Sequence, residues 1–293
     1  MPDPADTPGA PVGEVLAAGR QKLELSDIDT AALDARVLLG HVLKQPPNWL
    51  HAHPEAPVDS AMAAQFEAYI ARRCQREPVA HLVGTREFWK HAFDVGPEVL
   101  VPRPDSETLI TAVLEHIVER NRPFRILDLG TGSGCLLLSL LGEFPQATGV
   151  GVDISGEALK VAARNARKLK LDDRVEWIRG RWDVSPGGGF DLIVSNPPYI
   201  ETGALSGLEP DVVAYEPELA LDGGPDGLDC YRAILGCLDG ALADDGLLVF
   251  EIGQGQAERL SVLADDAGYR RRGIHDDLSG TARVLVFDRA SSS

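Results

Sequence analysis

From Arg125 onward the chain alternates between two hydrophobic periods, and that alternation limits the folds open to it. Apolar runs of strand length fall at 125–129, 147–152, 174–178, 190–195 and 246–251. Stretches at 134–143, 156–169, 227–242 and 254–267 carry apolar residues at helical spacing. Near-continuous apolar runs are what strands covered on both faces require. Strand and helix in turn predict an α/β domain with a mainly parallel sheet. Two last runs, Tyr269 to Ile274 and Arg283 to Phe287, are joined without a helical stretch. A parallel partner needs a long crossover, so this pair predicts an antiparallel strand at the end of the sheet.

Before Arg125 the pattern differs. Residues 1–11 are rich in Pro, Ala and Asp and read as a loose tail. Val15, Leu16 and Leu23 predict a helix from Val12 to Leu25. Asp29 or Thr30 can cap a second helix to about Leu43, with Leu33, Val37, Leu38 and His41 near one face, stopped by Gln45-Pro46-Pro47. Asp59 or Ser60 can cap a third, whose stripe is Met62, Phe66, Tyr69 and Ile70. Arg72, Arg73 and Arg76 near its end suit the negative pole of the helix dipole. This region reads as a helical bundle. Next, Phe93 to Val95 and Val99 to Val101 flank Gly96-Pro97, which predicts a β-hairpin. Asp105 or Ser106 then caps a helix expected to run through Arg120. The expected division is a helical domain over 1–86 and a hairpin plus α/β domain over 87–293.

The formal net charge of −17, with a sequence pI near 4.8, weighs against a duplex-binding enzyme, which would present a basic face. Cys74, Cys135, Cys230 and Cys237 form no CxxC pair, and His51 and His53 have no neighbouring Cys, so no metal site is expected. The first residues lack the positive start and apolar stretch of a signal peptide. The longest apolar candidate, Cys135 to Leu141, is far short of a membrane span. A cytosolic enzyme is the expectation.

Three motifs sit at strand ends. Asp128-Leu-Gly130-Thr131-Gly132-Ser133-Gly134 follows the first strand and opens a helix. Glycines let backbone approach a ligand, although the spacing differs from the Gly-x-Gly-x-x-Gly dinucleotide fingerprint. Asp153 ends the second strand, where a carboxylate can accept bonds from both hydroxyls of a ribose; a plain turn residue is the alternative. Asn196-Pro197-Pro198-Tyr199 follows Phe190 to Ser195. Two prolines fix two φ angles and remove two donors, and each residue before a proline is held extended. The result is a stiff loop with an Asn amide at its base and a Tyr ring at its tip. Such a pair can grip a planar amide or amino group, or simply cap a strand as a proline turn.

Glycine turn, acid after the second strand and Asn-Pro-Pro-Tyr after the fourth together resemble the S-adenosylmethionine-dependent methyltransferases acting on planar nitrogens. More narrowly, the chain resembles the release-factor glutamine methyltransferases (the HemK/PrmC family). Supporting stretches are Leu33-Asp-Ala35 with Leu38-Leu39, Pro78-Val-Ala80, Gly84, Glu87-Phe88-Trp89, and Leu100 through Glu107. Further on they are Glu216-Pro217, Leu219-Ala-Leu221, Gly223-Gly224, Asp226-Gly227-Leu228 and Glu251-Ile-Gly253. They cover most of residues 30–255 in order.

The resemblance implies a helical domain that recognises the substrate, a hairpin, and a Rossmann-like seven-stranded methyltransferase domain. Its cofactor would be S-adenosylmethionine and its product N5-methylglutamine in the Gly-Gly-Gln motif of peptide chain release factors. Gly130, Thr131, Gly132, Ser133 and Gly134 would line the amino-acid and ribose part of the cofactor. Asp153 would hold the ribose hydroxyls, Trp182 would border the adenine, and Asn196 would also face the cofactor. Asn196 and the Pro197 carbonyl would take the substrate amide, with Pro198 and Tyr199 completing the loop. The family often places an acid before the Trp, where this chain has Arg181; Asp183 or a backbone carbonyl would then accept from the adenine amino group. Arg103 would be a scaffold residue, Glu107 would order the loop by the glycine turn, and Glu251 would brace the site's floor. Release factors would be the partners of a monomer acting on neither nucleic acid nor membrane. The rival readings are an amino-methylating nucleic-acid methyltransferase, which calls for a basic cleft, and a non-catalytic binding module, which would not need all three motifs intact.

Overall fold

In the computed structural model, residues 9–182, 187–238 and 240–290 are described. They fall into two units, 1–84 with 210–215, and 85–209 with 216–293.

The first unit is helical. Its helices are α1 (Val12–Glu24), α2 (Ala31–Leu43), α3 (Pro47–Ala52), α4 (Ser60–Cys74) and α5 (Val79–Val83). Helix α2 ends on Lys44 in the left-handed region, just before Pro46 and Pro47, because proline cannot continue a helix. Pro47 then opens α3, where a missing N–H costs nothing. Asp59 caps α4, its carboxylate accepting from the Ala61 N–H at 2.8 Å. Leu23, Leu38, Leu39, Leu50, Phe66 and Ile70 form the core. Gly19 lets α1 and α4 meet, since a β-carbon there would stand 2.5 Å from the Phe66 ring. A sixth helix, α9 (Pro210–Tyr215), comes from far along the chain yet belongs to this unit. Arg73, only 6% exposed, holds it. Its guanidinium donates to Asp34 at 2.8 Å and to Asp211 at 2.6 Å. Tyr215 adds a bond to the Gln75 carbonyl at 2.8 Å. Arg73 is thus a buried ion-pair centre more than a helix-dipole residue.

The second unit opens with the hairpin, which is not where the Gly96-Pro97 signal put it. Its strands are β1 (Thr85–Phe88) and β2 (His91–Asp94), with Phe88 opposite His91. The turn is Trp89-Lys90, and Trp89 takes φ 54°. A bulky residue in the left-handed region is uncommon, so no turn signal marked it. Residues 99–101 form no strand. A short 3₁₀ turn at Pro104–Ser106 leads into α6 (Glu107–His116), which ends four residues before Arg120.

Then come β3 (Phe124–Leu129), α7 (Cys135–Glu143), β4 (Ala147–Asp153), α8 (Gly156–Leu169), β5 (Val175–Arg179), β6 (Phe190–Ser195), α10 (Asp229–Leu235), β7 (Leu242–Glu251), α11 (Ala257–Asp266), β8 (Tyr269–Asp276) and β9 (Ala282–Arg289). Helix α10 is shorter than the 227–242 stretch predicted. The chain turns at Gly240, φ 73°, straight into β7. The sheet has seven strands in the order β5-β4-β3-β6-β7-β9-β8. Strands β3 to β7 are parallel, whereas β9 runs antiparallel to both β7 and β8. Apolar clusters cover both faces: Ile126, Leu137 and Val249 belong to one, and Leu127, Ile193 and Phe250 to the other. From β3 the order runs outward through β4 and β5 on one side and through β6 and β7 on the other. The crevice between β3 and β6 is therefore the topological switch point, where open α/β sheets bind ligands. Among the described residues, no helix is long and apolar enough to cross a membrane.

Candidate active site

Leu129 lies opposite Ser195 in the sheet, so the glycine turn and the Asn-Pro-Pro-Tyr loop leave adjacent strands side by side. The Ser195 hydroxyl ties them, donating to the Leu129 carbonyl at 2.6 Å.

The glycine turn is wound tightly. Gly130 and Thr131 both donate backbone N–H to the Val152 carbonyl, at 2.9 and 3.0 Å. Gly130, Gly132 and Gly134 have φ of 76°, 54° and 79°, which only glycine adopts freely. Thr131 turns inward, donating from its hydroxyl to Asp128 Oδ2 at 2.6 Å. Asp128 is fully buried and its Oδ1 has no hydrogen-bond partner. Burial pushes its carboxyl up to about 7, against the Thr131 bond. Ser133 is also buried, and its carbonyl accepts from Asn165 Nδ2 at 2.9 Å. Asn165 binds Asp94 of the hairpin as well, through both backbone groups. Nothing in the sequence singled out this link between hairpin and glycine turn.

Asp153 anchors the far wall. Its Oδ2 accepts from the Gly132 N–H at 2.9 Å and its Oδ1 from the Ser155 N–H at 2.8 Å. Each carboxylate oxygen keeps a second lone pair. Burial raises this carboxyl above its ordinary value, opposed by the Ser155 and Gly132 N–H bonds. Ser155 caps α8 through the Ala158 N–H at 3.1 Å.

The Asn-Pro-Pro-Tyr loop is held from behind. Asn196 Nδ2 donates to Ser106 Oγ at 3.3 Å, which leaves Oδ1 as the free acceptor. Pro197 is buried. The Tyr199 hydroxyl donates to Glu251 Oε1 at 3.3 Å. Burial pushes the Tyr199 phenol well above its usual value, with the Glu251 charge adding to the rise. Gln256 donates to the Tyr199 carbonyl at 3.0 Å. Gly223 allows the following segment to lie against the loop, since a β-carbon there would be 2.7 Å from Tyr199 Cα. Arg103 makes two bonds to the Glu216 carboxylate, at 2.6 and 2.8 Å. Glu107 accepts from the Trp89 N–H at 2.8 Å, so it orders the hairpin turn.

These parts enclose a cavity of about 480 Å³, within the range of small-molecule sites. Of the residues singled out from sequence, Gly130, Gly132, Asp153, Trp182, Asn196 and Pro198 line it. Thr131, Ser133, Gly134, Pro197 and Tyr199 are not on its wall. Leu100, Leu219 and Cys230, which carried no chemical signal, are. The Trp182 ring stands over the turn, 3.2 Å from where a Gly130 β-carbon would be. Arg181 also faces the cavity, while Asp183 lies outside the described residues. Among the described residues no cluster of His, Cys, Asp or Glu could hold a metal ion.

Residues 14–84 match the PrmC N-terminal domain family, and residues 104–209 match the methyltransferase small domain family. The release factor glutamine methyltransferase of Rhodospirillum rubrum is 43% identical over 291 residues, spanning 99% of this chain and 89% of that protein. The chain belongs to the release factor glutamine methyltransferases. The Caulobacter vibrioides member is 40% identical over 270 residues, spanning 92% of this chain and 93% of its own. A methyltransferase structure from Pyrococcus furiosus, 17% identical with a TM-score of 0.52, covers 76% of this chain and 99% of its own. That likeness shows the fold alone.

Family membership makes S-adenosylmethionine the cofactor, and the residues present fit it. The cavity has the size, the glycine turn presents backbone at close range, Asp153 keeps lone pairs for hydroxyls, and Trp182 offers an aromatic face.

Proposed function

We propose that this chain transfers a methyl group from S-adenosylmethionine to the side-chain amide nitrogen, N5, of a glutamine. The glutamine is that of the Gly-Gly-Gln motif of peptide chain release factors. The observation that carries the reading is Asn196, whose carboxamide borders the cofactor-sized cavity with its nitrogen already engaged by Ser106. The names of the full-length relatives support the substrate.

Bound S-adenosylmethionine supplies an electrophilic methyl on a sulfonium. Gly130 and Gly132 would bring backbone to its amino-acid part, with Thr131, Ser133 and Gly134 shaping the turn from behind. Asp153 would accept from the ribose hydroxyls, and Trp182 would border the adenine. An amide nitrogen is a poor nucleophile because its lone pair is delocalised. The Asn196 Oδ1 and the Pro197 carbonyl would accept its two hydrogens and aim the lone pair at the methyl; as the N–C bond replaces the S–C bond, one of those protons would pass to a backbone carbonyl or to solvent. Positioning of this kind is worth on the order of 7–11 kcal/mol in the best cases. Tyr199 would pack behind the amide with its hydroxyl tied to Glu251. The helical unit, which holds none of these groups, would recognise the release factor, and the enzyme would act in the cytoplasm as a monomer.

The acidic balance of −17 weighs against an amino-methylating nucleic-acid enzyme. Labelled S-adenosylmethionine, incubated with the enzyme and either release factor or nucleic acid, decides the matter. Label on a release-factor glutamine is expected; label on nucleic acid alone overturns the reading.

A further inference from the structure

We propose that Leu219 is a docking residue for the protein substrate: it meets the release-factor segment that carries the reactive glutamine and holds that segment at the mouth of the cavity. The inference rests on the release-factor reading above and deepens it.

Leu219 is 56% exposed and yet lines the cavity. Of the large apolar side chains that are exposed among the described residues, no other is on the cavity wall. Apolar side chains scattered singly over a surface need no explanation. This one is set apart by its place and by its bracing. It is the middle residue of a 3₁₀ turn, Glu218–Ala220. The Ala220 N–H donates to the Pro217 carbonyl at 2.8 Å, and the Leu221 N–H to the Glu218 carbonyl at 2.9 Å. Before the turn, Glu216 is fixed by Arg103. After it, Ile200 and Asp222 form a bridge. There the Ile200 N–H donates to the Leu221 carbonyl at 3.1 Å, and the Gly223 N–H to the Ile200 carbonyl at 2.8 Å. Ile200 directly follows Tyr199, so the turn is tied to the loop that presents Asn196.

These backbone bonds keep Leu219 at the cavity whether or not anything covers it. The cofactor does not call for it, since the polar amino-acid part and ribose are met by the glycine turn and Asp153. The substrate glutamine, in contrast, belongs to a protein, so the chain on either side of it must rest on the rim. Leu100, Pro198, Pro217 and Ala220 line the same cavity, so Leu219 has apolar company there. The two glycines of the Gly-Gly-Gln motif present bare backbone, with no side chain to hold a leucine off. Covering Leu219 removes apolar surface from water, a gain that scales with area and has no direction. It therefore adds affinity for the segment without aiming the amide, which remains the work of Asn196 and Pro197.

The test is Leu219→Ser, with Leu219→Met as the variant that stays apolar. Release factor is titrated into enzyme saturated with S-adenosylhomocysteine, and methylation is followed with S-adenosylmethionine. In Leu219→Ser the Kd and KM for release factor should each rise about 10-fold, the scale of one apolar side chain losing its cover. Its kcat at saturating release factor should stay within about threefold of wild type, as when binding shared by ground and transition states is removed. Calorimetry should give S-adenosylmethionine affinity within about twofold of wild type. Leu219→Met should bring Kd and KM back to within about threefold, because the swap conserves volume and apolarity. Unchanged Kd and KM in Leu219→Ser overturn the proposal, as does a Leu219→Met no better than Leu219→Ser. Cofactor affinity falling in step also overturns it, since Leu219 would then cover the cofactor. In the wild type, release factor should slow backbone hydrogen exchange over residues 218–222, and no slowing overturns the proposal even if the variants fail to fold. A wild type that transfers no methyl to release factor overturns the substrate reading and this inference together; an active wild type with an unaffected Leu219→Ser overturns this inference alone.

Discussion

The glycine turn after β3 and the proline loop after β6 leave neighbouring strands, line one cavity and use opposite backbone chemistry. The turn keeps its N–H groups and folds through three positive φ angles. The loop gives up two N–H groups and fixes its φ angles by covalent rings. One half is shaped to wrap a ligand closely; the other is an acceptor-rich edge that cannot relax. Each rests on a buried carboxyl raised to about 7, Asp128 under the turn and Glu251 beside the loop, and each carboxyl keeps one oxygen without a bond of ordinary geometry. The contrast implies that the cofactor half works by fit and the amide half by orientation.

The sharpest way to break that contrast is at Asn196. Asn196→Ala and Asn196→Asp should each lower single-turnover methylation of release factor by roughly 10²-fold or more, because a small misplacement of reacting atoms already costs that much. The fold and most cofactor affinity should persist, since Pro197 and Pro198 still fix the loop. Asn196→Asp removes the donor that meets Ser106 and brings a charge beside the substrate carbonyl. A rate within a few-fold of wild type for Asn196→Asp would show that the side-chain amide does not orient the substrate.

Asp153 probes the other half. Asp153→Ala should weaken S-adenosylmethionine binding by roughly 10- to 150-fold, from bonds to a charged group worth about 1.5–3 kcal/mol. The same change frees the Gly132 and Ser155 N–H groups, so part of the loss arises from a loosened turn. Asp153→Asn keeps one oxygen acceptor and should fall between the two. Calorimetry giving wild-type affinity for Asp153→Ala would remove Asp153 from the cofactor site.

What could be read from sequence, and what could not, follows a physical line. The interior strands β3, β4, β6, β7 and β9 were legible because buried strands show as apolar runs bounded by turn residues. Of the motif residues, Gly130, Gly132, Asp153, Asn196 and Pro198 come together on one cavity wall, and they stood out in the sequence because glycine, proline and strand-end acids mark strand ends and tight turns. The hairpin was misplaced because its turn depends on Trp89 at φ 54°, a conformation imposed by its surroundings. Helix α9 joins the first unit through Arg73 and Asp211, two residues that no local pattern connects. The contacts of Ser106, Glu251 and Asn165 escaped for the same reason: these are single polar residues whose partners come from distant strands and turns.

Asp128 tests whether the buried acid beneath the turn is as isolated as its unpaired oxygen implies. Its folded pKa is about 7, raised from 3.8 mainly by burial. The proton-linked stability is fully present below about pH 4 and is lost as pH rises through about 7. Asp128→Asn cannot ionise, so it should lose less melting temperature than wild type between about pH 5 and about pH 8. The difference should be on the order of 1–3 kcal/mol, at about 1.4 kcal/mol for each tenfold change in proton affinity. Glu251 titrates over the same interval, so a residual slope is expected. An undiminished slope would mean that Asp128 does not change charge there.

Pro198→Ala carries the smallest expected effect and bears most directly on stiffness. Pro198 lines the cavity beside Asn196, and its carbonyl would lie 2.9 Å from a β-carbon on Gly223. Alanine can adopt the same backbone angles, so no contact need be lost. What changes is freedom: the unfolded chain gains conformations, worth about 0.4–1 kcal/mol against the fold. Pro197, which directly follows Asn196, is untouched and still holds Asn196 extended. Cofactor affinity should therefore stay at the wild-type value, and kcat should drop only a few-fold. The measurement is single-turnover methylation beside calorimetry with S-adenosylmethionine. If Pro198→Ala loses as much rate as Asn196→Ala, then the stiffness of the loop, and not the grip of one amide on another, dominates the amide half. If instead it loses cofactor affinity, the two halves of the site are not separable, and the contrast between a wrapping turn and an orienting edge fails.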